Sequence, residues 1–290
     1  MIDAHHHLWD LNAVNYPWLM EKGKRRFFGD PTSIQRNYLI DEHIKLANEL
    51  GFKGSVHIQV GAADGLEEAQ WINSVVNENQ SWPMVQVAFC DLSSDQRELH
   101  LDKLQKLSSV VGVRQIIGRS PAEDANSKTN ELLTSDNFMQ GLQSISDRGL
   151  TFDLQIIPEL LKTCASVFSQ FPNLQVILCH AGSPYNRTLE GIKSWAGDLI
   201  HLSNLSNVSC KLSGLGMFDH NWTGSTVAPI VTTVMDQFGS KRVMFGSNFP
   251  VDSLSSSFEQ LFTRISSNID EKDFEDVFSK TAQRIYFSNF

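Results

Sequence analysis

Met1-Ile2-Asp3-Ala4-His5-His6-His7-Leu8-Trp9-Asp10 opens the chain. A short apolar run ending in His-x-His puts His5 and His7 on one face, because strand side chains alternate with period two. Two imidazoles at the end of a strand can bind a metal or polarise a carbonyl. A leftover purification tag would be longer and lie outside the fold, whereas Asp3 and Trp9-Asp10 continue a structured pattern.

Seven further apolar runs follow at fairly even intervals, so that the set covers 2–7, 54–60, 84–89, 110–116, 150–156, 174–180, 208–212 and 242–248. Most are near-continuous Val, Ile, Leu or Phe, as strands of a parallel sheet buried on both faces should be. The segments between them have helical spacing. Ile44, Leu46, Ala47 and Leu50 mark 41–50, and Leu66, Ala69, Ile72, Val75 and Val76 mark 66–77. The segment 137–148 stops at Gly149, and 158–171 stops before Pro172. Strand then helix, repeated about eight times, predicts a (β/α)8 TIM-like barrel, with a doubly wound open sheet as the alternative. No Gly/Ser/Pro-rich linker divides the chain, so residues 1–290 read as one barrel domain. The irregular, aromatic stretch 12–35, with Tyr16, Trp18, Phe27 and Phe28, is expected to fold over one face of it.

Composition narrows the partners. A net charge of −9 argues against nucleic acid or an anionic membrane surface. No apolar stretch approaches the roughly 20 residues that span a bilayer, and no basic-then-apolar leader is visible. Cys90, Cys164, Cys179 and Cys210 are scattered without a Cys-x-x-Cys, which favours buried free thiols and a reducing cytoplasm.

In a parallel barrel the reacting groups come from the C-terminal ends of the strands. The first run ends in His5 and His7, and the second in Gln59 with His57 on the same face. The fourth ends in Arg114, and the fifth in Gln155 with Asp153 two before it. The last three end in His180, Lys211 and Asn248. Each has a structural alternative. His180 or His57 can be a bonded core histidine, Arg114 an ion-pair partner, Asp153 an interior hydrogen-bond hub, and Lys211 can snorkel to solvent. The repetition is what packing alone does not explain.

These residues resemble a known family. Asp3-Ala4-His5-His6-His7-Leu8-Trp9-Asp10 with Tyr16-Pro17-Trp18-Leu19 is similar to the start of the amidohydrolase-related sugar lactonases, which include L-fuconolactonase, L-rhamnonolactonase and 2-pyrone-4,6-dicarboxylate lactonase. Val111-Gly112-Val113-Arg114 and Phe152-Asp153-Leu154-Gln155 resemble the family's fourth and fifth strands. Cys179-His180-Ala181-Gly182-Ser183-Pro184 resembles its sixth, with Cys179 where an acid is usual. Lys211-Leu212-Ser213-Gly214-Leu215 and Gly246-Ser247-Asn248-Phe249-Pro250-Val251 resemble the seventh and eighth. The match runs over essentially the whole chain.

The resemblance implies a metal-dependent-hydrolase type of barrel that opens a small lactone. In it His5, His7, His180 and Asn248 are catalytic, and Gln59, Arg114, Gln155 and Lys211 bind substrate. It also implies that His5, His7 and His180 hold one zinc-like divalent ion, with metal-independent action as the alternative. The implied partner is a small lactone or organic acid, and a homo-oligomer is compatible with this reading. One departure matters: the family's aspartate after the eighth strand is Asn248 here. An amide cannot take a proton near neutral pH and cannot serve as general base. A metal-bound hydroxide, His180, or a carboxylate such as Asp252 or Asp153 is left to do so. Asp252 has a turn or helix cap as its plainer role. Arg119 and Arg187, beyond strand ends, are expected in solvated loops. Two other classes compete: a decarboxylase of an unsaturated or aromatic acid, and a catalytically silent ligand-binding barrel.

Overall fold

In the computed structural model, which describes residues 1–288, eight parallel strands run side by side in chain order. They are β1 (Asp3–His6), β2 (Ser55–Ile58), β3 (Met84–Ala88), β4 (Val110–Val113), β5 (Thr151–Leu154), β6 (Val176–Leu178), β7 (Val208–Leu212) and β8 (Val243–Phe245). β8 returns to β1 through a bridge between His6 and Phe249, so the sheet nearly closes into a barrel rather than an open doubly wound sheet. The strands are shorter than their apolar runs. Their polar ends lie in the turns that follow.

Helices alternate with the strands where the spacing places them. Ile40–Glu49 and Asp136–Asp147 pack one apolar stripe inward. Gly65–Glu78 starts at Asp64, whose carboxylate accepts the amide N–H groups of Leu66 and Glu67. The expected helix over 158–171 divides into a 3-10 turn, Pro158–Leu160, and a helix, Leu161–Phe168. No helix among the described residues is long and apolar enough to cross a membrane.

β1 carries an irregularity that shapes the site. Asp3 pairs with Ser55 and His6 with His57, so three steps on β1 face two on β2. One extra residue is a bulge. It sends Asp3 and His6 both to the outer side, while His5 and His7 stay together, their rings 5.1 Å apart. On the outer side His6 stacks on His43 with centroids 3.8 Å apart. Asp3 Oδ2 lies 3.6 Å from His43 Nε2, and His57 Nε2 lies 3.6 Å from Glu68 Oε1. His57 Nδ1 accepts the Leu8 N–H. His57 and Gln59 therefore do not share a face. The strand ends at Ile58 and the alternation ends with it.

Burial dominates the ionisation of this cluster. It raises Glu68 to about 7 and Asp3 to about 6, and lowers His43 and His57 to about 3. Glu68 keeps its proton to about pH 7 when folded but loses it near 4.5 when unfolded. Its ionisation therefore subtracts stability from pH 4.5 to 7 and a constant amount above that. The buried histidines act oppositely, losing stability as pH falls from 6.5 toward 3.

Inside the barrel, an apolar layer of Ile2, Ala4, Val56, Ile58, Val85, Val87, Ile177 and Met244 packs against Ala282 and Tyr286 of the C-terminal helix Thr281–Tyr286. Asp153 sits above it. Its carboxylate takes the Lys211 ammonium at 2.5 Å and the Tyr286 hydroxyl at 2.8 and 3.0 Å. Lys211 is wholly buried, with its ammonium 4.9 Å from the Tyr286 ring centroid. Lys211 therefore does not snorkel to solvent, and its charge is paired with Asp153.

Two outcomes follow from these buried charges. Glu68→Gln, compared with wild type by urea unfolding, should be neutral at pH 4 and stabilising by about 3 kcal/mol at most at pH 8; an equal shift at both pH values would remove Glu68 as the cause. Lys211→Met should cost about 3–5 kcal/mol because it strands the Asp153 charge. Lys211→Met combined with Asp153→Asn should recover part of that loss, and a double variant weaker than the single would contradict the pairing.

Candidate active site

The strand ends surround a cavity of about 480 Å³, which suits one small ring-sized ligand. His7, Gln59, Arg114, Gln155, His180 and Asn248 all line it. Six of the eight residues expected in the site thus meet at one mouth. His5 and Lys211 are not among the lining residues: both are fully buried, and Lys211 is held by Asp153. The segment 12–35 does fold over this face, contributing Trp18, Arg26, Phe27 and Phe28 to the wall. Trp18 Nε1 donates to Val60 O at 2.7 Å, which ties that wall to the end of β2.

Unusual backbone delivers the polar groups. After β6 the residues His180, Ala181, Gly182 and Ser183 all have positive φ, and so does Asn248 after β8. Such runs cost energy and persist where surrounding contacts hold them. The Trp195 indole donates to Ala181 O at 2.8 Å, and Ser183 N donates to His180 O at 2.8 Å. His180 Nδ1 lies 2.9 Å from Ser213 Oγ, which leaves Nε2 as its free nitrogen. Gly214 leaves room for that ring, since a Cβ there would come within 2.4 Å of His180 Nδ1. The Ser213-Gly214 pair could have been read from its place directly after the seventh run; Tyr286, 133 residues from Asp153, carried no signal.

His7 Nδ1 lies 2.7 Å from Ile58 O and its Nε2 lies 3.2 Å from Asn248 Oδ1. Asn248 Nδ2 is 3.4 Å from Asp252 Oδ1. Asp252 is buried, its other oxygen has no partner, and desolvation raises it to about 7. It is thus more than a turn cap. Burial holds His5, His7 and His180 well below the ordinary histidine range, with neighbouring His, Lys or Arg groups adding to the effect. All three are neutral imidazoles at pH 7.

His5 has no hydrogen-bond partner on either ring nitrogen. Its ring centroid is 4.6 Å from that of His180. One ligand atom each from His5, Asp153 and Cys179 can gather within 4.8 Å of one another. An orphaned neutral imidazole beside a carboxylate and a thiol is a donor set that fits a divalent ion. This set overlaps the expected His5, His7 and His180 only at His5.

Arg114 is fully buried. It donates from Nη1 to Gln155 Oε1 at 3.0 Å and from Nη2 to Gln59 O. Arg119 lines the cavity and Arg187 donates to Leu215 O at 2.8 Å, so neither is a solvated loop residue.

The chain is similar to known proteins along nearly its full length. It is 31% identical to the uncharacterized protein y4mH of Sinorhizobium fredii, covering 99% of this chain and 98% of that one. It is 22% identical to an L-fucono-1,5-lactonase of Burkholderia multivorans, covering 98% and 95%. A crystal structure of an amidohydrolase from Burkholderia multivorans with bound zinc superposes with a TM-score of 0.84 at 22% identity, covering 99% and 98%. The amidohydrolase family model, Amidohydro_2, matches residues 2–287, and the chain therefore belongs to that family.

Proposed function

We propose that this amidohydrolase opens a small lactone by water attack at the cavity floor. The observation that carries this reading is the cavity lining itself. It contains no Asp or Glu, so His7 and His180 are the lining groups that can accept a proton at neutral pH. His7 has partners on both nitrogens, and His180 has Nε2 free.

His180 Nε2 takes a proton from water as the water oxygen attacks the acyl carbon. The carbonyl oxygen becomes an oxyanion, and the Arg114 guanidinium is the cation beside the cavity that stabilises it. The ring C–O bond then breaks, and the leaving alkoxide takes the proton back from His180. The product is the hydroxy acid. Gln59 and Gln155 orient the ring oxygens and are themselves fixed by Arg114. A divalent ion, held by His5 with Asp153 and Cys179, would supply carbonyl polarisation and a more acidic water.

A panel of sugar and simple lactones, with acid release followed by a pH indicator, tests this. His180→Ala should lower kcat at least a hundredfold while circular dichroism stays native. His5→Ala should abolish turnover and lower the zinc content of the purified protein. Wild-type activity in either variant sinks the assignment. Carbon dioxide release without lactone cleavage would indicate the decarboxylase class, and binding without turnover a silent barrel. Asn248→Asp should raise hydrolysis or metal affinity, and no change in either would place Asn248 outside the chemistry.

A further inference from the structure

Glu68 is a buried carboxylate that the proposed chemistry does not use. It lies in the first turn of the helix Gly65–Glu78 and is 2% exposed. Its Oε1 accepts the Val60 N–H at 2.9 Å and the Tyr16 hydroxyl at 3.5 Å. His57 Nε2 lies 3.6 Å from the same oxygen. Because His57 Nδ1 accepts the Leu8 N–H, the proton of the neutral ring is on Nε2 and faces Glu68. The Ala62 N–H also favours the charged carboxylate. Every one of these neighbours is a donor, so the position calls for an acceptor oxygen.

Those donors come from the two layers that build one side of the cavity. The ladder between β2 and β3 ends with Gln59 N donating to Val87 O at 2.9 Å. The next amide, Val60 N, goes to Glu68 instead. Val60 O accepts the Trp18 indole N–H at 2.7 Å, so Val60 is held by the helix through its N–H and by the segment 12–35 through its carbonyl. Gly61 N donates to Gln59 Oε1 at 2.9 Å and closes the turn onto that side chain. Tyr16, two residues before Trp18, ties the segment 12–35 to the same carboxylate. Trp18, Gln59, Val60, Gly61 and Ala62 all line the cavity. Burying a carboxylate is costly, and the buried positions that follow on this helix, Ala69 and Ile72, are apolar. A side chain needed here only for packing would be apolar as well.

Resting on the lactone reading for its ligand, we infer that Glu68 is a positioning residue for substrate binding, acting through Val60 and Tyr16 to fix the cavity side made by Gln59 and Trp18. Loss of the acceptor frees the Val60 turn and loosens Gln59 and Trp18. His180, held by Ser213 after β7, stays in place. The defect is therefore one of binding more than of chemistry. An amide oxygen accepts N–H and O–H groups as a carboxylate does, so Glu68→Gln keeps the turn, whereas Glu68→Met, of similar size, does not.

Hydrogen exchange read by mass spectrometry tests the turn, and kinetics on the lactone that wild type hydrolyses fastest tests binding. In Glu68→Met the peptide carrying the Val60 amide should exchange at least tenfold faster than in wild type, while peptides from β5 and β6 keep wild-type rates. Its KM should rise at least fivefold with kcat within twofold of wild type, and Glu68→Gln should restore both readouts. Four results each overturn the inference: wild-type exchange in Glu68→Met, exchange that rises equally in β5 and β6, a lower kcat at unchanged KM, or a Glu68→Gln protein as defective as Glu68→Met. Glu68→Ala takes the place of Glu68→Met if the latter does not fold. If no lactone is turned over, the lactone reading falls, and the exchange comparison alone decides whether Glu68 holds the turn.

Discussion

The closure of β1 on β8 is the constraint on which the site depends. The Asp3 carboxylate accepts from Ser247 N at 2.8 Å and from Ser247 Oγ at 2.5 Å. Asn248 N donates to His5 O and His7 N donates to Phe249 O, both at 2.7 Å. These bonds join the first and last strands and fix Asn248 beside His7 in one step. Gly246 makes the approach feasible, because a Cβ there would meet His5 Cβ at 2.5 Å. Asp3 reaches Ser247 only because the bulge in β1 turns it outward. A regular strand would spend either Asp3 or the His5–His7 pair on the wrong face.

The charges in and around the mouth sort into two classes. Those beneath it are paired: the Lys211 ammonium and the Tyr286 hydroxyl both bond the Asp153 carboxylate, which also lies beside His5 and Cys179. Those lining it include the neutral imidazole of His180 and the Arg114 guanidinium, whose hydrogen bonds go to neutral oxygens, while Arg26 is paired with Glu123. The same residue types therefore do different things one layer apart. Burial neutralises the imidazoles, which keeps a lone pair available on His180, while the arginines cannot lose their charge and keep the cavity positive.

Much of this was legible in the sequence. Strands buried on both faces must be near-continuously apolar, and eight such runs with helical spacing between them specify the barrel. Polar residues at the run ends pointed to the mouth, and His7, Gln59, Arg114, Gln155, His180 and Asn248 do meet there. What stayed hidden depends on contacts distant in sequence or on backbone off the regular period. Lys211 gave no sign of Asp153, 58 residues away, and Arg119 gave no sign that its loop folds inward. His57 faces outward by the alternation of β2, between the inward Val56 and Ile58, and Gln59 reaches the cavity on the other side because the strand has ended at Ile58.

Proton counting along Ile58 O, His7, Asn248 and Asp252 explains why His180, and not His7, is the group free to act. Ile58 O can only accept, so His7 Nδ1 carries a proton. If His7 is neutral, its Nε2 is then a lone pair, and an amide oxygen cannot bond to it. The Asn248 amide must present its NH2 to His7 and its oxygen to Asp252, which must be protonated to donate. If Asp252 is ionised instead, the amide turns over, its NH2 goes to Asp252, and His7 must hold two protons. The chain thus holds one shared proton, on Asp252 or on His7. Burial raises Asp252 to about 7 and holds His7 well below its ordinary value, so below about pH 7 the proton belongs on Asp252 and His7 is neutral. In that state both His7 nitrogens are occupied, by a carbonyl and by an amide. The asparagine that follows the last strand therefore occupies His7 Nε2 in that state, and the lone pair left facing the cavity is that of His180.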